Sequence, residues 1–164
     1  MAQPDADLPE IYVLPGESHL VTEPMILRTV LGSCVGIAFL IPRLGVAAFC
    51  HPMLPSYRAK PPEDSTVALG CRYVDFAIRE VARRLECLGA RRGEIKVKLF
   101  GGADVLLTSN PSSRPTVGKM NCEAALRVLD ECGIEVVASS LGGTSGINLR
   151  FNTETGVVLL RRLC

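Results

Sequence analysis

The sequence predicts an α/β fold in one domain, in which mixed, largely antiparallel β-sheets built from β-hairpins pack with two long α-helices. Short apolar runs of strand length recur along the 164 residues and are separated by turn residues. Only two stretches show the spacing of an amphipathic helix. Strands and helices do not alternate throughout, and no GxGxxG opens a helix, so a doubly wound nucleotide-binding fold is not predicted.

The first part of the chain is predicted to consist mainly of strands. We expect one domain over residues 1–164, with a flexible amino-terminal segment at 1–10 and strands at 11–14, 25–31, 35–41 and 46–51. The last two strands flank Pro42, Arg43, Leu44 and Gly45, a turn sequence that predicts a hairpin. The proline-containing stretch 52–70 is predicted to be an ordered but irregular loop.

The two helices are predicted from their apolar periodicity. In residues 71–88, the apolar side chains at helical spacing are Val74, Ile78, Val81, Leu85 and Leu88. Gly89 suits a left-handed cap after this helix. Asn121 is the expected cap of the second helix, whose inward side chains are predicted to be Ala125, Leu126, Leu129 and Cys132. Further strands are expected at 95–100 and 134–138, with a closing hairpin of 147–151 and 157–161.

Charge and hydropathy exclude several classes of protein. Lys and Arg total 18 against 17 acidic residues, so neither a nucleic acid nor an anionic membrane is an expected partner. The amino terminus, MAQPDADLPE, has no apolar core and cannot be a secretory signal. The longest apolar run, 35–41, is too short to span a bilayer. We therefore expect a cytoplasmic protein without membrane insertion.

The seven cysteines favour neither disulfides nor zinc. Their number is odd, their spacing is wide, no CxxC occurs, and there are only two histidines. Four of them, which fall on or beside the predicted helices, are expected to be packing residues: Cys71, Cys87, Cys122 and Cys132. His19 lies in a polar segment and is expected to be exposed.

Cys34 and His51 form the sharpest chemical pattern. With the hairpin turn centred between Pro42 and Arg43, they lie opposite each other, with Cβ atoms about 4.5–5.5 Å apart. An imidazole so placed is expected to lower the pKa of the thiol and form the ion pair of a cysteine hydrolase. Gly32 and Ser33 offer N–H groups for an oxyanion hole. Thr29 or a backbone carbonyl could orient the imidazole. A buried thiol beside a structural histidine remains the alternative interpretation.

Several motifs in order resemble the CheD family. They are LGSCVGIAFLIPRLGVAAFCHPMLP at 31–55, PGE at 15–17, FGGAD at 100–104, VGKMN at 117–121 and NTETG at 152–156. The resemblance implies a glutamine deamidase that acts on bacterial chemoreceptors, with Cys34 as nucleophile, His51 as base and Thr29 as the third member of a triad. It implies no metal or organic cofactor. It also implies a possible partner, a CheC-type phosphatase of the response regulator.

Two other interpretations stay open. A non-catalytic module could bind receptors or a phosphatase, although such a module needs neither Cys34 nor His51. A redox or metal switch has only the number of cysteines in its favour. The stretch that follows His51 must emerge beside the site, and we expect Tyr57 and Arg58 to contribute to a substrate rim.

Overall fold

The computed structural model describes residues 5, 7–57, 67–106 and 114–164. Within these residues the strands are β1 (Glu10–Tyr12), β2 (Ser18–Val21), β3 (Ile26–Leu31), β4 (Val35–Ile41), β5 (Val46–Cys50), β6 (Lys96–Gly101), β7 (Glu135–Leu141), β8 (Ile147–Asn152) and β9 (Val158–Arg162). The helices are α1 (Val67–Gly70), α2 (Val74–Cys87) and α3 (Val117–Glu131), with 3₁₀ turns at Pro42–Leu44 and Arg92–Glu94.

The strands form two mixed sheets. The first sheet has the order β1-β3-β8-β9, and the second has the order β2-β5-β4-β6-β7. The pairs β1–β3 and β6–β7 are parallel, and the other neighbouring pairs are antiparallel. The predicted hairpins are the β4–β5 and β8–β9 pairs. The predicted class, largely antiparallel sheets with two long helices, is confirmed.

The second sheet is the middle of three layers. Its Val35, Ile37 and Phe39 belong to one core cluster with α2 and α3. The alternate residues Ala38 and Phe49 belong to another cluster, which contains side chains of the first sheet. Because both faces of β4 and β5 are covered, these strands are continuous apolar runs without alternating polar positions. Any side chain that follows β5 on the face of Phe49 therefore lies between the two sheets.

The two long helices pack on the outer face of the second sheet. In α2 the predicted residues Val74, Ile78, Val81 and Leu85 are buried, whereas Leu88, the C-cap, is 47% exposed. Gly89 follows with φ +99°, as expected of a left-handed cap.

The prediction that Asn121 caps α3 is wrong. The helix begins one turn earlier, and the Thr116 side chain accepts a hydrogen bond from the N–H of Lys119. Asn121 lies inside the helix and is fully buried. Leu126 was also predicted to face inward, but it is exposed, because the buried stripe of α3 runs through Ala124, Ala125, Val128 and Leu129.

Three segments of the structure differ from the predicted elements: the amino-terminal segment, the segment around His19 and the loop 52–70. Of the expected flexible segment, residues 1–4 and 6 lie outside the described residues, while Glu10 begins β1 and contacts Arg28 and Arg150. The segment around His19 forms β2, an unpredicted strand that pairs with β5. Short helix α1 lies within the predicted loop 52–70. In the part of the chain that the structure describes, no helix is long and apolar enough to cross a membrane.

Candidate active site

Thr29 and His51 contact each other at one end of the layer between the two sheets, and Cys34 lies at the same end. Thr29 is on β3 of the first sheet, and its side chain is completely buried. His51 directly follows β5 of the second sheet and is 1% exposed. Cys34 lies just before β4 and packs, half-buried, against the cluster between the sheets. Three residues that are distant in sequence thus belong to one site, open to solvent on the cysteine side.

The predicted pairing of Cys34 with His51 differs from the structure by two residues. Ile37 pairs with Cys50 and Ile41 pairs with Val46, so His51 is level with Gly36 when this register is continued. The cause is the turn: Pro42–Leu44 is a 3₁₀ turn that ends in Gly45 at φ +64°. A shift of two residues keeps a side chain on the same face of a sheet. Were the strand geometry to continue through Cys34, it and His51 would be diagonal neighbours with Cα atoms about 7–8 Å apart, rather than a direct cross-strand pair.

The hydroxyl of Thr29 fixes the tautomer of His51. Thr29 Oγ1 donates its proton to the carbonyl oxygen of Val13 at 2.7 Å, and it lies 2.9 Å from His51 Nδ1. A hydroxyl has a single proton to donate, so Thr29 must accept the second hydrogen bond from Nδ1–H. The neutral ring then carries its free lone pair on Nε2. His51 is thereby prepared to accept a proton at the nitrogen that does not contact Thr29.

The turn at Pro15-Gly16-Glu17 holds the backbone of His51. The N–H of Gly16 donates to His51 O at 2.7 Å, and the N–H of His51 donates to Glu17 O at 3.0 Å. Gly16 has φ +85°, which favours glycine. The Glu17 carboxylate accepts a hydrogen bond from the N–H of Leu14, which closes the turn. This short segment was noticed in the sequence only as a motif, and the structure gives it a role in fixing the histidine.

Burial opposes charge on both Cys34 and His51. It raises the pKa of the Cys34 thiol, and a contact with the residue's own backbone N–H only partly counteracts this. Burial also lowers the pKa of His51 below its ordinary 6.5. A hydrogen bond with the Val13 backbone and the negative charge of Glu17 raise this pKa by smaller amounts. Both shifts disfavour the charged forms, which is opposite to the lowered thiol pKa that was expected. The ion pair between Cys34 and His51 stays a prediction.

The bend at residues 32–34 is held through its carbonyl groups. Gly32 O accepts a hydrogen bond from the N–H of Ala103 at 2.9 Å, and Cys34 O accepts one from the N–H of Gly102 at 2.8 Å. Ser33 O accepts one from Asn121 Nδ2 at 2.9 Å. In a trans peptide the following N–H points to the opposite side. The N–H groups of Ser33 and Cys34 therefore point away from these anchors, and neither donates a backbone hydrogen bond to another described residue.

Glycines behind the bend allow this close packing. A Cβ on Gly101 would lie 2.3 Å from Cys34 O, and Gly101 has φ +95°. A Cβ on Gly118 would lie 2.5 Å from Ala103 O and 2.6 Å from Gly102 O. The FGGAD and VGKMN motifs thus bring the end of β6 and the first turn of α3 against the cysteine bend. From the sequence, only Asn121 of VGKMN was given a structural role, as a helix cap, and FGGAD was given none.

The remaining candidates have different surroundings. The ring of Tyr57 packs against Tyr73 and Phe76, with centroids 5.0 Å and 5.9 Å apart. Its role in a rim stays a prediction, and Arg58 lies outside the described residues. Among the described residues, no group of three His, Cys, Asp or Glu side chains could hold a metal ion.

The other cysteines differ in exposure, and all seven are free thiols. Cys50, Cys71 and Cys132 are buried, and Cys122 is half-buried. Burial raises the pKa of Cys71 and Cys122, and raises that of Cys50 well above its ordinary value. Cys87 was expected to be a packing residue, but it is exposed, because it lies on the solvent side of the last turn of α2.

Comparisons with known proteins agree with the motifs. The model of the family described as "CheD chemotactic sensory transduction" matches residues 53–162. A probable chemoreceptor glutamine deamidase CheD 2 from Geobacter sulfurreducens is 42% identical over 95% of this chain and 91% of its own. A probable chemoreceptor glutamine deamidase CheD from Maridesulfovibrio salexigens is 37% identical over 99% of this chain and 97% of its own.

A third relative matches at a lower identity. The chemoreceptor glutamine deamidase CheD from Halalkalibacterium halodurans is 33% identical over 87% of each chain. The pairwise similarities extend over most of the chain, beyond the part that the family model matches. The chain belongs to the CheD family.

Proposed function

We propose that this chain is a protein-glutamine deamidase that hydrolyses glutamine side chains of bacterial chemoreceptors to glutamate. The observation that carries the proposal is the hydrogen-bond chain from His51 Nδ1–H through Thr29 to Val13 O. It leaves Nε2 as a base on the face of the sheet that also carries Cys34. The relatives that match nearly the whole chain are named chemoreceptor glutamine deamidases, which supplies the substrate class.

Acylation begins with two neutral groups. Because burial disfavours both the thiolate and the imidazolium, the proton moves from Cys34 Sγ to His51 Nε2 as sulfur attacks the amide carbon. The carbonyl π bond becomes the oxyanion, and the new C–S bond forms. The imidazolium then gives its proton to the leaving nitrogen, the C–N bond breaks, and ammonia departs from a thioester.

Deacylation uses the same residues in reverse. His51 Nε2 takes a proton from water as the water oxygen attacks the thioester carbon. The C–S bond breaks, and the imidazolium returns its proton to Cys34 Sγ. The sum of both stages is glutamine plus water to glutamate plus ammonia, with the protein unchanged and no cofactor required.

The oxyanion is assigned to the N–H groups of Ser33 and Cys34. The sequence suggested Gly32 and Ser33, and the carbonyl anchors of the bend shift this proposal by one residue. Neither N–H group donates a backbone hydrogen bond to another described residue, and both adjoin the nucleophile. Two such donors stabilise charge that develops on the carbonyl oxygen in the transition state.

Mass spectrometry of receptor peptides tests the proposed activity directly. Each deamidated glutamine should gain about one mass unit, because OH replaces NH₂ in amide hydrolysis. Cys34→Ala should abolish the gain while leaving the protein folded. An unchanged gain with Cys34→Ala would reject the mechanism, and binding of receptor without any gain from the unmodified protein would favour a non-catalytic module instead.

The cellular setting is part of the same proposal. The mechanism needs Cys34 as a free thiol, which a reducing compartment maintains, and we therefore place the protein in the cytoplasm. A CheC-type phosphatase as partner, and a single domain over residues 1–164, stay predictions. So does the substrate rim of Tyr57 and Arg58. Replacing both by Ala should lower receptor deamidation while Cys34 keeps its reactivity toward a small alkylating agent.

A further inference from the structure

Asn121 is a buried polar residue whose side chain reaches both sides of the site. It is 0% exposed, and its Nδ2 donates to Ser33 O at 2.9 Å and to Met53 O at 3.0 Å. Only this orientation of the amide places donors toward both carbonyls, so the hydrogen bonds themselves determine it. The carbonyls lie 88 and 68 residues away in sequence. One side chain thus joins the cysteine bend to the segment that follows the histidine.

The first of these hydrogen bonds controls the direction of one peptide unit. Ser33 O and the N–H of Cys34 belong to the same planar trans peptide and point in opposite directions. By holding Ser33 O, Asn121 fixes the N–H of Cys34 on the side of the thiol. The neighbouring unit, with the N–H of Ser33, is held separately by Ala103 through Gly32 O.

The second hydrogen bond fixes the distance between the two sides of the site. Met53 lies two residues after His51, and Val35, which follows the cysteine, donates to Pro52 O at 3.3 Å. Beyond that point β4 and β5 no longer form a ladder. Where the ladder ends, the hydrogen bonds from Asn121 to Ser33 O and Met53 O hold the cysteine bend and the segment after His51 together.

The carbonyl oxygen of the Asn121 side chain indicates that a contribution to stability alone does not account for asparagine at this position. Asn121 Oδ1 is buried and has no hydrogen-bond partner in the structure's described residues. A buried acceptor without a partner costs about 1–3 kcal/mol. The close packing of Gly118 against the backbone of Gly102 and Ala103 holds the first turn of α3 where Nδ2 reaches both carbonyls.

We propose that Asn121 is a positioning residue for the deamidation reaction, which holds the N–H of Cys34 toward the transition-state oxyanion and keeps the cysteine bend at its distance from His51. It acts through Ser33 O and Met53 O and does not touch the substrate. The inference rests on the proposed function, because an oxyanion donor has no purpose in a module that only binds.

The main experiment separates oxyanion positioning from nucleophile reactivity. Asn121→Ala should lower kcat for deamidation of a receptor peptide by about 10–100-fold, with KM changed less than about 3-fold, as for a misplaced transition-state contact. Alkylation of Cys34 by iodoacetamide needs no oxyanion donor, and its rate should change less than about 3-fold.

Asn152 offers a matched control. It is also a buried asparagine, but it lies at the far end of β8, where its Oδ1 accepts the N–H groups of Glu154 and Thr155. Asn152→Ala should lower the melting temperature and leave kcat unchanged, because it affects a turn distant from the bend. An equal loss of kcat in both variants would overturn the proposal, since general loosening would then explain the effect.

A second variant gives a pH readout that a purely structural role would not. Asn121→Asp keeps the shape of the side chain but cannot donate when ionised, and burial raises the pKa of a carboxyl group. Its activity relative to the unmodified protein should therefore rise as pH falls, when the substituted carboxyl gains a proton and can donate. A relative activity independent of pH would contradict the inference.

Failure of this inference is distinguishable from failure of the proposed function. Folded Asn121→Ala with kcat within about 2-fold of the unmodified protein would overturn the positioning role while leaving deamidation intact. A parallel loss of deamidation and of Cys34 alkylation would also overturn it, because the thiol itself would then be disturbed. If Cys34→Ala still deamidates, the proposed function fails first.

Discussion

Replacing Thr29 with Val tests the orientation of the candidate base. Valine has nearly the shape of threonine, so the change removes the hydroxyl and leaves the packing between the sheets. His51 Nδ1–H then loses the Thr29 oxygen as its acceptor, and Val13 O loses the hydroxyl as a donor. The ring can turn over or exchange its proton to Nε2, where it no longer accepts a proton from Cys34. We expect slower deamidation and lower stability.

The size of the effect follows from these two hydrogen bonds. A buried polar group without a partner costs about 1–3 kcal/mol. If this penalty falls on the reactive tautomer, kcat declines by about 5–160-fold, since about 1.4 kcal/mol corresponds to tenfold. Removal of the base itself costs about 10²–10⁴-fold, so Thr29→Val should fall short of His51→Ala.

Thr29→Ser is the matched control for the hydroxyl. It keeps the oxygen and removes one buried methyl group, at about 1 kcal/mol of the free energy of unfolding. We expect its kcat within about 3-fold of the unmodified protein. Ammonia release measures kcat, and ¹⁵N chemical shifts of the His51 ring measure the tautomer. A proton on Nε2 in the unmodified protein, or equal activity of the Val and Ser variants, would refute the assigned hydrogen-bond chain.

Three further predictions follow from the same site. With the exposed Cys87 and Cys164 replaced by Ser, iodoacetamide should modify Cys34 before the remaining thiols. The labelling rate should increase as pH rises, because burial raises the pKa of Cys34. Earlier labelling of a buried cysteine, identified by peptide mapping, would contradict this prediction. Because burial lowers the pKa of His51 below 6.5, the unfolded chain takes up the proton first, so stability should fall as pH drops through 6.5 and level off below the folded pKa. Urea midpoints should show this slope, and His51→Gln should reduce it; equal slopes would exclude His51 as the cause. Gly101→Ala should lower the free energy of unfolding by more than about 2 kcal/mol, because the new Cβ would overlap Cys34 O. Gly133→Ala, with open space around the glycine, should lower it by about 1 kcal/mol in the same urea measurement. Similar losses in both variants would show that the close approach to Cys34 O does not matter.

The parts of the fold that were predicted correctly are those that local periodicity determines. The β4–β5 hairpin follows from two apolar runs around a proline and glycine turn, and α2 follows from Val74, Ile78, Val81 and Leu85. Strand β2 was missed because it has only four residues, of which only Leu20 and Val21 are apolar, and because it lies at the edge of the sheet. Helix α3 was started one turn late because Asn121 resembles a cap in sequence.

For the site, the sequence indicated which residues come together but not their chemistry. Thr29 and His51 are in contact, and Cys34 lies at the same end of the layer, although a 3₁₀ turn shifts the register by two residues. The directions of the pKa shifts of Cys34 and His51 could not be predicted, because burial arises from packing of the two sheets. The role of Asn121 was missed for a similar reason, since its partners lie in distant parts of the chain. A fully buried polar side chain is visible only after folding.

The candidate triad draws its members from two separate sheets. Thr29 belongs to the first sheet, while Cys34 and His51 directly flank strands of the second. The sheets pack through side chains such as Phe49 and Phe151, whose ring centroids are 6.3 Å apart. The geometry of the base is therefore a measure of how the two layers are aligned. A slip of one layer along the other by a fraction of a bond length would change the 2.9 Å contact between Thr29 and His51 before any strand pairing were lost. The deamidation rate is then sensitive to the alignment of the two sheets. On heating, the rate should decline at a lower temperature than the one at which secondary structure is lost.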